Sequence, residues 1–116
     1  MANLINLGSE LLRICPTNAK KIEVSINNGK TWSTRCTNTS YGDFHDLTIF
    51  GTELLAATSK GVYVSINQGK SWSSRCINPN YGSFQSIQVN GNELLATTSK
   101  GLYFSKNKGA SWTKRS

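Results

Sequence analysis

One eight-residue segment occurs three times in this chain of 116 residues, at a spacing of 40 both times. The copies are Ser25-Ile-Asn-Asn-Gly-Lys-Thr-Trp32, Ser65-Ile-Asn-Gln-Gly-Lys-Ser-Trp72 and Ser105-Lys-Asn-Lys-Gly-Ala-Ser-Trp112. A fixed long period means one supersecondary unit copied along the chain, and each copy buries its apolar sides only by stacking on another. Other landmarks keep the same beat: Glu-Leu-Leu at Glu10, Glu53 and Glu93, Thr-Ser-Lys-Gly at Thr58 and Thr98, Tyr-Gly-x-Phe at Tyr41 and Tyr81, and an arginine at 35, 75 and 115. Residues 37–76 and 77–116 are identical at 20 of 40 positions. The first copy carries three extra residues around Pro16-Thr17-Asn18-Ala19, since Glu10 to Ser25 spans 15 residues where Glu53 to Ser65 spans 12.

Each copy reads as four short strands. In the third, Phe84–Val89 alternates apolar and polar, Asn90-Gly91-Asn92 signals a tight turn, and Leu94–Thr98 is apolar and small. Ser99-Lys100-Gly101 turns again, Leu102–Ser105 is rich in β-formers, and Ser111–Arg115 closes the unit after a turn at Asn107-Lys108-Gly109. Short strands with turns every 8–12 residues define an all-β sandwich, barrel or propeller. Four strands inside a 40-residue period select the propeller. No stripe of period 3.6 lasts three turns, so no helix is expected. The expectation is an all-β chain of three propeller blades, each of four antiparallel strands. The blades span about residues 2–36, 37–76 and 77–116.

The motif Ser-x-Asn-x-Gly-x-Ser/Thr-Trp resembles the Asp-box (BNR) repeat of sialidases, sortilin-type receptors and photosystem assembly factors, with Asn27, Asn67 and Asn107 where that motif has aspartate. The resemblance implies a structural role. The box forms the hairpin between the third and fourth strands, on the face opposite the usual ligand site. Ser25, Ser65 and Ser105 open it. The asparagine side chain accepts amide hydrogens of its own turn. Gly29, Gly69 and Gly109 take positive φ, and Trp32, Trp72 and Trp112 pack into the blade. Sialidase catalysis is not carried over, because Arg35, Arg75 and Arg115 fall one per blade on the outermost strand and do not converge on an axis.

Closed propellers have four to eight blades, so three leave two sheet faces unmatched. The simplest closure is a two-fold homodimer forming a six-bladed ring, with a fragment or engineered piece of a larger propeller as the alternative. Reactive groups are sparse. Asp43, His45 and Asp46 share one inter-blade loop, which reads as solvated because the next copy has Ser83, Gln85 and Ser86 there. One histidine and dispersed cysteines give no metal-ligand spacing, and no phosphate loop is present. No cofactor, metal or catalytic residue is expected, and the chain reads as a non-enzymatic binder.

The binding face implied is the one carrying the loops from each fourth strand to the next first strand and the turns between second and third strands. It gathers the candidates Tyr41, Tyr81, Asn38, Asn78, Arg35, Arg75, Lys60 and Lys100. An aromatic ring beside amide and guanidinium donors suits a sugar, which gives a multivalent lectin-like module. The competing reading has Tyr-Gly-x-Phe packing the inter-blade loop. The alternative function is a protein-interaction or assembly scaffold with a basic face. The net charge of +7, from 13 Lys and Arg against 6 Asp and Glu, favours acidic partners such as nucleic acid, anionic glycans or an acidic protein surface, while the even spread of the basic residues also suits a plain soluble cationic surface. Nucleic acid has charge alone to recommend it. An odd count of three cysteines argues against a full disulfide set. With no cationic, apolar leader at Met1–Asn6 and no run near the ~20 residues of a membrane span, reduced thiols point to the cytoplasm.

Overall fold

The computed structural model describes residues 4–37, 41–77 and 79–115. Twelve strands form three four-stranded antiparallel sheets, each in simple sequence order. The first holds β1 (Ile5–Asn6), β2 (Leu11–Ile14), β3 (Lys21–Ser25) and β4 (Ser33–Thr37). The second holds β5 (Phe44–Phe50), β6 (Glu53–Thr58), β7 (Gly61–Ser65) and β8 (Ser73–Cys76). The third holds β9 (Phe84–Asn90), β10 (Glu93–Thr98), β11 (Gly101–Ser105) and β12 (Thr113–Lys114). The expected strands are all present, although β12 is shorter than Ser111–Arg115. A 3-10 turn spans Pro79–Tyr81.

The turns explain why the sheets form where they do. At the end shared by the first and third hairpins, Gly51 and Gly91 take φ of 67° and 62° and close two-residue turns. The three box hairpins share one geometry. Ser65 donates its hydroxyl to Asn67 Oδ1 (2.9 Å) and accepts the Gly69 amide at 2.8 Å. Asn67 Oδ1 also accepts the Ser71 amide at 3.0 Å, while its Nδ2 donates to the Ser71 hydroxyl. The same bonds recur at Ser25–Asn27–Thr31 and Ser105–Asn107–Ser111. The glycines take φ of 88–92°, and so, at 63–66°, do Asn28, Gln68 and Lys108 just before them. Two successive left-handed residues turn the chain inward, so the serine and asparagine reach its amides. Asparagine does the acceptor work of an aspartate here and adds a donor for the hydroxyl at the end of the turn.

At the opposite end, Thr58 Oγ1 accepts the amides of Lys60 and Gly61 and donates to the Gly61 carbonyl. Gly61, at φ 141°, lies so close to the Cys76 carbonyl that a Cβ would collide with it.

Packing is between blades. One cluster joins Leu12, Ile22 and Cys36 of the first blade to Phe44, Leu47, Leu54, Tyr63 and Trp72 of the second. The other joins Leu55, Val62 and Cys76 of the second to Phe84, Ile87, Leu94, Tyr103 and Trp112 of the third. Each first strand lies against the next one, which places β1, β5 and β9 innermost.

The two outer faces differ from these junctions. Ala56 pairs with Tyr63 and Ala96 with Tyr103, but the same register position in the first blade holds Arg13 and Glu23. Those two form an ion pair at 2.8 Å, and the Arg13 guanidinium lies 4.2 Å from the Trp32 ring centre. Trp32 is therefore half-buried, whereas Trp72 and Trp112 are buried against Phe44 and Phe84. On the other outer face, Leu95 and Leu102 are half-exposed where Leu55 and Val62 are fully buried, and Arg115 lies over the half-exposed Phe104.

Candidate functional site

The recurrent arginines are held at the box end of the sheets. Arg35 bonds Glu10 at 2.6 Å and the Gln68 carbonyl of the next blade's box at 3.4 Å; Arg75 repeats this with Glu53 and the Lys108 carbonyl. Arg115 reaches Glu93 at 3.4 Å. The three repeated glutamates thus serve the outermost strand across the intervening one. Arg35 and Arg75 stitch each blade to the next, and their guanidinium groups do not gather with the tyrosines at the loop end. Spacing alone could not show this, since β4 and β8 run the full height of the blade.

Tyr41 and Tyr81 leave the loop surface and enter the junctions. Tyr41 packs on Phe44 and Tyr63, and its hydroxyl accepts the Trp72 amide at 3.3 Å. Tyr81 does the same with Phe84, Tyr103 and the Trp112 amide. Burial, reinforced by the neighbouring Tyr41, pushes the Tyr63 phenol up. Asn38 and Asn78 lie outside the described residues.

Lys60 and Lys100 stay at the loop end, on the β6–β7 and β10–β11 turns. Lys60 lines a cleft of about 510 Å³ with Ser59, Tyr63, Ile77, Gly82 and Ser83. At the preceding junction, the equivalent Lys20 is in an ion pair with Asp43 at 2.5 Å. That bond holds the Asp43 carboxyl below the usual range, helped by the lysine's charge.

A second cleft, of about 630 Å³, opens at the loop ends of the inner strands and involves all three blades. Leu4, Arg13, Ile14, Cys15, Pro16, Phe44, His45 and Gln85 line it. The three-residue insertion supplies part of its wall through Pro16. The Cys15 thiol bonds the Thr17 hydroxyl at 3.4 Å, and that bond, with the Thr17 backbone, lowers its pKa. Burial raises that of Cys36. All three cysteines are free thiols.

The Asp43, His45 and Asp46 stretch is not the solvated loop expected. Asp46 is buried, its carboxylate accepting the Leu47 amide at 2.9 Å and, across the junction, the Ile87 amide at 3.0 Å. His45 Nδ1 lies 2.7 Å from the Phe84 carbonyl. The loop shortens into β5, and these side chains satisfy backbone groups where two inner strands meet without a ladder. Among the described residues no group of three or more metal-ligating side chains assembles, and no helix is long and apolar enough to cross a membrane.

Charge is distributed unevenly. Glu10, Glu23, Asp43, Glu53 and Glu93 are in ion pairs, and Asp46 is engaged with backbone amides. Among the described residues, Lys30, Lys60, Lys70, Lys100, Lys106, Lys108 and Lys114 form no ion pair with a carboxylate side chain.

This architecture is a β-propeller, and solved structures agree. The chain superposes on YCF48 bound to D1 peptide with a TM-score of 0.70 at 21% identity, covering 90% of this chain and 35% of that one. YCF48 from Cyanidioschyzon merolae gives 0.65 at 21% identity, over 94% and 41% of the two chains. An ancestral GH74 enzyme gives 0.68 at 18% identity, over 96% and 17%. The chain thus spans little more than a third of the YCF48 chains. No family model and no curated protein matches it.

Proposed function

We propose that this chain is a non-enzymatic propeller module that binds acidic segments of other proteins. The observation carrying this is the charge accounting among the described residues: every carboxylate side chain is engaged internally, while seven lysines are in no ion pair. Such a surface draws an acidic partner by long-range attraction. The fold shared with YCF48 bound to a peptide supports a protein ligand, and the box hairpins, with their Asp-box-like bonding, support a rigid scaffold. Retention on immobilised poly-glutamate that weakens steeply as salt rises past physiological strength is the expected result. Retention unaffected by salt overturns the reading.

The ring is closed by a second copy of the chain. Leu95, Leu102 and Phe104 supply the uncovered apolar side, and Arg115 stands where Arg35 and Arg75 reach a neighbouring box. The equivalent carbonyl on an incoming first blade belongs to Asn28. Light scattering should give twice the 12.7 kDa of one chain; a single-chain mass at high concentration rejects closure by pairing. The lectin-like reading has weaker support, because both candidate tyrosine hydroxyls already accept backbone amides. A glycan array decides it.

A further inference from the structure

The two inter-blade junctions provide an internal comparison. At the first, Lys20 on the β2–β3 turn reaches Asp43, just before the next blade's inner strand. At the second, the corresponding lysine is Lys60 and the corresponding acid is replaced by Ser83. The turn bearing Lys20 carries the three-residue insertion that the Lys60 turn lacks, but the stretch before the inner strand keeps its backbone: Asp43 and Ser83 each donate an amide to a serine hydroxyl of their own blade, Ser59 or Ser99, at 3.0 Å. What changes is the chemistry. The Lys60 ammonium has no ion-pair partner among the described residues. It lines a cleft of about 510 Å³ whose other walls are the Tyr63 ring, Ile77, Ser59 and Ser83.

We infer that this cleft is a carboxylate-binding site, in which a ligand supplies the acid that Asp43 supplies at the first junction. The carboxylate sits against Lys60, with the Ser83 hydroxyl as a second donor. The exposed Ile77 and the edge of Tyr63 contact the carbon chain that bears it. Gly82, at φ 85°, lets this wall of the cleft pack against the β10–β11 turn, since a Cβ there would collide with the Ser99 hydroxyl. The chemistry selects an apolar group carrying a carboxylate, which is either the C-terminus of a peptide ending in an aliphatic residue or an acidic side chain beside one. This assignment rests on the proposed binding of acidic segments. It does not depend on ring closure, because both walls of the cleft belong to one chain.

The test is a chemical-shift titration of the full chain, followed at the Ile77 methyl and Lys60 Nζ. Isovalerate is the carboxylate probe and isovaleramide its neutral counterpart. Isovalerate should shift both signals, and the amide should not. Lys60→Gln should weaken the response on the order of tenfold. Ser83→Asp should do the same by placing a built-in acid on Lys60, while leaving the spectrum folded and the Lys100 signals in place. Equal binding of the amide, or unchanged isovalerate binding in either variant, overturns the assignment. N-acetyl-leucine and N-acetyl-glutamate α-amide then distinguish a terminal from a side-chain carboxylate by which one competes. Poly-glutamate retention separates the two levels. If retention persists while isovalerate leaves Ile77 unmoved, only the cleft is wrong; if retention is absent, the broader reading fails.

Discussion

At the scale of single residues, the box asparagines carry the most structure per atom. Asn67 Oδ1 accepts a hydroxyl and an amide, and its Nδ2 holds Ser71. Asn67→Ala should cost about 1–3 kcal/mol of unfolding free energy by denaturant titration, because the partners are left unpaired. Asn67→Asp should cost less, since the Ser71 hydroxyl can turn to donate to the second carboxylate oxygen. Asp43 supplies a pH dependence. Its carboxyl is held below the ordinary value by Lys20, so it favours folding above the unfolded-state value, and that contribution is lost as pH falls through the depressed one. Asp43→Asn should flatten the acid limb of a stability-versus-pH curve; an unchanged limb refutes the pairing. The sequence made the glycine and asparagine roles legible because turn chemistry is local. It did not reveal the left-handed Asn28, Gln68 and Lys108, because those residue types also suit ordinary turns.

Among the elements, the contrast between junctions matters most. β5 and β9 are joined by the Asp46 carboxylate on the Ile87 amide and by His45 beside the Phe84 carbonyl. Asp46→Ala removes the acceptor for a buried amide and should destabilise the chain by about 1–3 kcal/mol. Hydrogen exchange at the Ile87 amide should quicken by more than at amides within the β6–β7 ladder. Equal acceleration everywhere would mean a global loss of stability and no local strap. Glu10, Glu53 and Glu93 were legible as repeated features, but their partners were not. Pairing with an arginine two strands away depends on sheet order, which the repeat does not encode residue by residue.

At the scale of the whole molecule, the outer faces decide what the chain does next. One carries Arg13, Glu23 and Trp32 in place of alanine, tyrosine and a buried indole; the other leaves Leu102 and Phe104 half-exposed. On the proposed pairing, the wild-type chain has twice the chain mass in solution, and placing a charge on the second face by Leu102→Glu should reduce that to one chain mass. A particle that keeps its doubled mass would show that another surface pairs.

The periodicity of the chain, by itself, determined the number of blades, the strands within each and the position of every box hairpin. These follow from local turn geometry and from apolar alternation, both of which are written in consecutive residues. Tertiary structure alone decided which groups face each other across a junction. It turned Arg35 and Arg75 toward the boxes, packed the half-buried Tyr41 and Tyr81 into the junctions, and set Lys60 opposite a serine where Lys20 meets an acid. Those pairings join residues far apart in sequence, and their side-chain directions are settled by packing between sheets.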